Sequence, residues 1–239
     1  MSDTNDEQRQ RCLDGSLVPT TPREWWRKHK AEYEDHWRQV REARSVLLDG
    51  PIWAAAMNLK RVYVFAVMSQ QTKTEVAERG FVEYVEGVPL RRAFEGCVYA
   101  DMHSQWIEDG LENHAFEGLV RDVRKAVESE ALPTAARAIR ALTDLKGLSY
   151  RKAGFTLAMC GLYEAMCIDR NVSYVVDTKD DKDDWSNARD YVQACEEVRE
   201  AAQLQVLEPF EAQWAIFDFS RDTVTSHEVV FENLILDPR

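Results

Sequence analysis

Apolar residues recur along this chain at spacings of three, four and seven, in long stretches separated by short breaks, and no stretch alternates as a half-buried strand does. The first periodic stretch opens at Thr21-Pro22-Arg23-Glu24, with a hydroxyl for the N-cap, proline at the first helical position and glutamate at the third. Trp26, Tyr33, Trp37, Val40 and Leu47 form its expected inward stripe, and Gly50-Pro51 ends it. Ile52 to Gln71 is apolar without glycine or proline, too long for a strand, and reads as a buried helix. Thr72 or Thr74 is expected to cap a helix running to about Val85, which Gly87-Val88-Pro89 breaks. Shorter helical segments follow to Ala131, and Leu132-Pro133-Thr134 restarts a helix to about Asp144. Another covers Trp185 to about Leu207, one covers Phe210 to Phe219 after Pro209, and His227 to Leu236 forms a short closing helix or a packed extended tail. This pattern predicts an all-α fold.

The glycine in Leu145-Lys146-Gly147-Leu148-Ser149 permits a tight turn with positive φ, and the helix starting near Ser149 directs unpaired amides outward, where they attract phosphate. Lys152 lies in that helix's first turn, against the positive end of the dipole. Repulsion by the dipole and by Arg151, with desolvation beside Phe155, is expected to lower its pKa and free its amine as a nucleophile. Lys146, in the turn, is the rival amine. Asp169 follows 17 residues on (169 − 152), far enough to face Lys152 across a cleft, and also suits an N-cap.

Composition changes this picture in two ways. A net charge of −12 (30 basic against 42 acidic residues) argues against nucleic-acid binding as a whole-molecule property. The acids concentrate in the N-terminal tail and in Asp177 to Asp184, read as a solvated loop, whereas Lys146, Arg151, Lys152 and Arg170 cluster near the hairpin and can make a local basic patch. The acidic balance suits a salt-rich cytoplasm and a moderately acidic mesophile equally. The five cysteines (12, 97, 160, 167 and 195) show no metal-ligand spacing, and Cys160 and Cys167 read as buried small hydrophobes. Histidines 29, 36, 103 and 114 show no ligand pattern, and His227 reads as structural. No apolar run is long enough to span a membrane, and the polar start lacks a signal-peptide block, so a cytoplasmic, nucleoid-associated location is expected.

Together, Ser69-Gln70-Gln71-Thr72, the Leu145–Phe155 turn and helix, and Cys167-Ile168-Asp169-Arg170-Asn171-Val172 resemble the helix-hairpin-helix DNA glycosylases, the superfamily of endonuclease III, the adenine glycosylase MutY and the 8-oxoguanine glycosylases. The resemblance spans roughly residues 52 to 172 in order and spacing. It departs at Lys146, where the family has proline, at Ser149, where it has the second hairpin glycine, and at Arg170 and Asn171, where it has threonine and histidine.

The resemblance implies a two-lobed all-α fold with its active-site cleft between lobes. Residues 1–20 form a mobile tail, 52–166 a helical barrel with the hairpin, and 21–51 plus 167–239 the second lobe. It implies a base-excision glycosylase with abasic-site lyase activity, in which Lys152 attacks the sugar C1′ and Asp169 supports the developing charge. Gln70, Gln71, Lys73, Gly147, Ser149 and Arg151 contact DNA, with Gln71 filling the gap left by the extruded nucleotide, and Trp214 or Phe217 stacks on the base. The partner implied is duplex DNA with a damaged or mismatched base, bound by a monomer. Some members carry an iron–sulfur cluster on four cysteines after the aspartate; only Cys195 follows Asp169, so no cluster, cofactor or metal is expected. A monofunctional glycosylase, with Asp169 supporting attack by water, and a non-catalytic nucleic-acid- or protein-binding helical module are the alternatives.

Overall fold

A computed structural model of the chain describes residues 19–128, 134–175, 185–225 and 228–238. Among them all regular structure is helical: α1 (Pro22–Leu48), α2 (Ile52–Met68), α3 (Thr74–Val85), α4 (Leu90–Ala93), α5 (Ala100–Asn113), α6 (Phe116–Glu128), α7 (Thr134–Leu142), α8 (Tyr150–Met159), α9 (Arg170–Val175), α10 (Ala188–Ala201), α11 (Pro209–Arg221) and α12 (Glu228–Glu232). The tail to residue 18, Cys12, Leu132-Pro133, the acidic run 177–184 and His227 lie outside the described residues.

The Thr21 hydroxyl accepts from the Glu24 amide and starts α1. The stripe forms as expected at Tyr33, Trp37, Val40 and Leu47, but Trp25 is buried more deeply than Trp26. Its indole N–H donates to the Tyr33 hydroxyl (2.9 Å), drawing that ring inward. Helix α2 is buried over most of its surface and becomes the central element, packed by α1, α3, α5, α6 and α8. It stops at Met68 rather than Gln71, because Gln71 takes a left-handed backbone (φ 55) and turns the chain. Neither Thr72 nor Thr74 caps α3 with its side chain; the Thr72 hydroxyl accepts from the Val98 amide instead (3.1 Å). Helix α10 begins at Ala188 rather than Trp185, since the Asn187 side chain accepts from the Arg189 and Asp190 amides, and it ends at Ala201, before Gln203 turns left-handed.

Helix α11 docks on α1 through a fully buried carboxylate. The Asp218 Oδ2 accepts from the Tyr33 hydroxyl (2.9 Å) and the Thr225 amide (3.1 Å). Burial raises its pKa to about 6, against the pull of those donors and of Arg221. The unfolded chain releases this proton near pH 3.9 (about), so the folded state holds the proton more tightly. Stability from this group is complete below about pH 4 and is lost as pH rises through about 6, by up to ~3 kcal/mol. Asp218→Asn is therefore expected to abolish that step. The thermal midpoint of the parent, relative to the variant, falls between pH 4.5 and 7.5; a pH-independent difference would exclude the effect.

Candidate active site

Site geometry begins at the hairpin between α7 and α8. Gly147 has φ 82, and a Cβ there would lie 2.9 Å from the Trp106 ring, so both the turn and the packing require glycine. Both turn carbonyls are tied inward. The Tyr63 hydroxyl lies 2.9 Å from the Lys146 carbonyl and the Gln70 amide donates to the Gly147 carbonyl (2.6 Å). Gln70, expected on the DNA, thus holds the hairpin against α2. Ser149 takes the N-cap position of α8 without a side-chain cap bond, and Arg151 lies with its guanidinium over the Trp185 ring (5.1 Å).

Opposite α8 runs an irregular buried segment, 166–168, whose backbone polar groups must find partners away from water. Side chains from two helices supply them. Tyr191 of α10 donates to the Met166 carbonyl (2.8 Å) and accepts from the Ile168 amide (3.0 Å), while Gln213 of α11 accepts from the Cys167 amide (2.5 Å). Helix α8 approaches this segment closely because residue 154 is glycine: a Cβ there would sit 2.1 Å from the Met166 carbonyl oxygen. That approach sets Lys152 on one wall and Asp169 on the other.

Lys152 and Asp169 line one cavity of about 610 Å³, together with Gln71, Lys73, Trp214 and Phe217. Six of the residues singled out in the sequence therefore meet, from α8, the turn after α2, the start of α9 and α11; Gln70, Gly147, Ser149 and Arg151 lie outside the lining. Trp214 and Phe217 meet edge-on at 6.1 Å, and Phe217 is the more exposed ring. Cys167 is buried as expected but also reaches the cavity, as do Gln213, Asn171 and Arg221. Gln213 is buried within an apolar run, and that lone amide beside Trp214-Ala215-Ile216-Phe217 was its signal in the sequence.

The Lys152 amine donates to the Ser69 hydroxyl (3.0 Å) and stands 5.3 Å from the Phe155 ring centre. Burial lowers its pKa, with Cys167 and Asp169 opposing; of the expected causes desolvation leads, and Arg151 has its charge turned toward Trp185. Burial also lowers the pKa of His103 nearby, and the Lys152 charge adds to that shift. Asp169 accepts from the Val172 amide (2.9 Å), so it caps α9 as well as facing the cavity. Burial raises its pKa against the Val172 amide, Lys152 and Asn171. An amine biased toward its neutral form and a half-buried carboxylate thus share one polar and aromatic chamber.

No protein-family model matches the chain, and no curated protein matches it by sequence. Among solved structures, the 8-oxoguanine DNA glycosylase of Thermotoga maritima matches with a TM-score of 0.64 at 15% identity, over 85% of this chain and 97% of that one. The chain therefore has the all-helical fold of that glycosylase.

Proposed function

We propose that the protein is a base-excision DNA glycosylase with abasic-site lyase activity, working through Lys152 with Asp169 in support. The observation that carries this reading is that both residues line one cavity with Gln71 and two aromatic side chains. Its volume falls within the roughly 300–1,000 Å³ of small-molecule sites, and the fold shared with a DNA glycosylase supports the same assignment. In this reading residues 52–166 form the hairpin-bearing lobe, and 21–51 with 167–239 the other. A monomer engages duplex DNA with the amides at the start of α8, and Lys73 lies beside the phosphates. Gln71, exposed on a left-handed turn at the cavity, fills the gap left by the everted nucleotide, whose base enters the cavity against Phe217.

The neutral Lys152 nitrogen attacks C1′. The bond from C1′ to the base breaks, its electron pair leaves with the base, and the base takes up a proton. Asp169 stabilises the positive charge developing on the sugar and accepts the proton released by the new nitrogen substituent. The nitrogen pair then expels O4′, which takes the proton held by Asp169 and becomes the 4′-hydroxyl, to give an iminium. Asp169, ionised again, takes a C2′ proton; the freed pair forms the bond from C2′ to C3′, the phosphate leaves C3′ with its electron pair, and water hydrolyses the iminium to release the lysine. All steps through attack need an unprotonated amine and an ionised carboxylate. The acid limb of the rate profile is therefore expected above the ordinary carboxylate range and below the ordinary lysine value of about 10.4. Borohydride trapping across pH on duplexes carrying oxidised purines, oxidised pyrimidines, uracil or mismatched adenine measures it. Base release without trapping on any of these would replace this mechanism with attack by water.

A further inference from the structure

Helix α2 leaves one carbonyl unpaired by its own backbone near its C-terminal end. The Gln70 amide, which would bond the Ala66 carbonyl if the helix continued, goes to the Val67 carbonyl instead (3.2 Å). The Ser69 hydroxyl fills that vacancy, lying 3.1 Å from the Ala66 oxygen as its donor. A hydroxyl has one proton to give. With that proton directed at Ala66, Ser69 offers only lone pairs to its other neighbour, the Lys152 amine at 3.0 Å.

We propose that Ser69 is a positioning residue for Lys152: an acceptor fixed by the end of α2 that takes one N–H of the amine and leaves the nitrogen lone pair to the cavity. A neutral amine has two N–H groups and one lone pair, so an acceptor that cannot also donate sorts these atoms in advance of attack. Were the hydroxyl free to rotate, its proton could occupy the lone pair that must attack. Two further groups act on the amine, Asp169 and Cys167 from the segment across the cavity, and the amine in turn acts on His103 of α5. Phe155 supplies an apolar neighbour from α8 itself. Lys73, Glu75 and Arg221 line the same cavity. Ser69 touches the amine rather than the reacting sugar, and its role rests on the glycosylase reading given above.

Two measurements separate this inference from that reading. The first is reductive methylation of the DNA-free protein by formaldehyde and cyanoborohydride across pH, with Lys152 followed by peptide mass spectrometry. The second is borohydride trapping on lesion-bearing duplexes, with the parent, Ser69→Ala and Ser69→Thr. Losing the acceptor removes an interaction that favours the ammonium, so Ser69→Ala is expected to shift the Lys152 methylation limb to lower pH. It should also slow trapping at saturating DNA by roughly 10- to 100-fold, with the DNA concentration at half-saturation unchanged. Ser69→Thr keeps the hydroxyl and restores both. Parent-like behaviour of Ser69→Ala in both assays overturns the proposal. So does equal impairment of both variants with an unmoved pH limb, the mark of a purely structural side chain. If the parent traps on no lesion while the methylation limb still responds to Ser69, the glycosylase reading fails and takes the role in attack with it, and only the hydrogen bond from the Lys152 amine to Ser69 stands.

Discussion

Lys152→Ala is expected to eliminate the borohydride-trapped adduct and to lower strand nicking on the order of 10³-fold or more, as removal of a covalent nucleophile does. The expectation follows from its surroundings. The amine is half-buried on the cavity wall, its proton affinity is lowered by desolvation, and it has a hydrogen-bond acceptor behind it and a carboxylate among the residues opposite. The rival amine is placed differently. Lys146 is exposed, ion-paired with Asp109, and outside the cavity, so Lys146→Ala should trap as the parent does. Asp169→Asn keeps an oxygen to accept from the Val172 amide but loses the charge, and a fall of roughly 10²- to 10³-fold is expected. Trapping that persists in Lys152→Ala, mapped to another lysine, would reject the assigned nucleophile.

Gly154→Ala should damage both stability and activity. The added methyl meets the Met166 carbonyl oxygen at 2.1 Å. Rotating a side chain cannot relieve the contact, because that oxygen belongs to a backbone segment pinned by Tyr191 and Gln213. Overpacking of this kind costs about 1–3 kcal/mol and occasionally more, which lowers the thermal midpoint by roughly 2–4 °C per kcal/mol for a chain of this size. The loss of activity should exceed the loss of fold at a temperature where the variant remains folded. Parting α8 from the segment moves Lys152 from Asp169, and a 1 Å displacement can cost about a hundredfold in rate. The control is Gly118→Ala in the first turn of α6, where the nearest contact of a new Cβ is 3.9 Å, so the added methyl meets no obstacle. Unchanged trapping and melting for Gly154→Ala would show that this close approach does not set the site.

The amino-acid order alone carried the helical class, the start of α1 at Thr21, the buried nature of α2 and the glycine turn at 147. These features are local, or rest on one helix's periodicity, and proline, glycine and capping side chains mark them directly. What the chain alone did not disclose lies in contacts between residues far apart in it. The Gln70 amide is committed to Gly147 and the Lys152 amine to Ser69. Gln213 satisfies the Cys167 amide, and Gly154 is small because the Met166 carbonyl passes over it. Spacing nominated Lys152 and Asp169 as partners. The packing of α8 against the irregular 166–168 segment decided that they share a cavity, because a lowered amine pKa and a raised carboxylate pKa come from water excluded by neighbours drawn from separate parts of the chain.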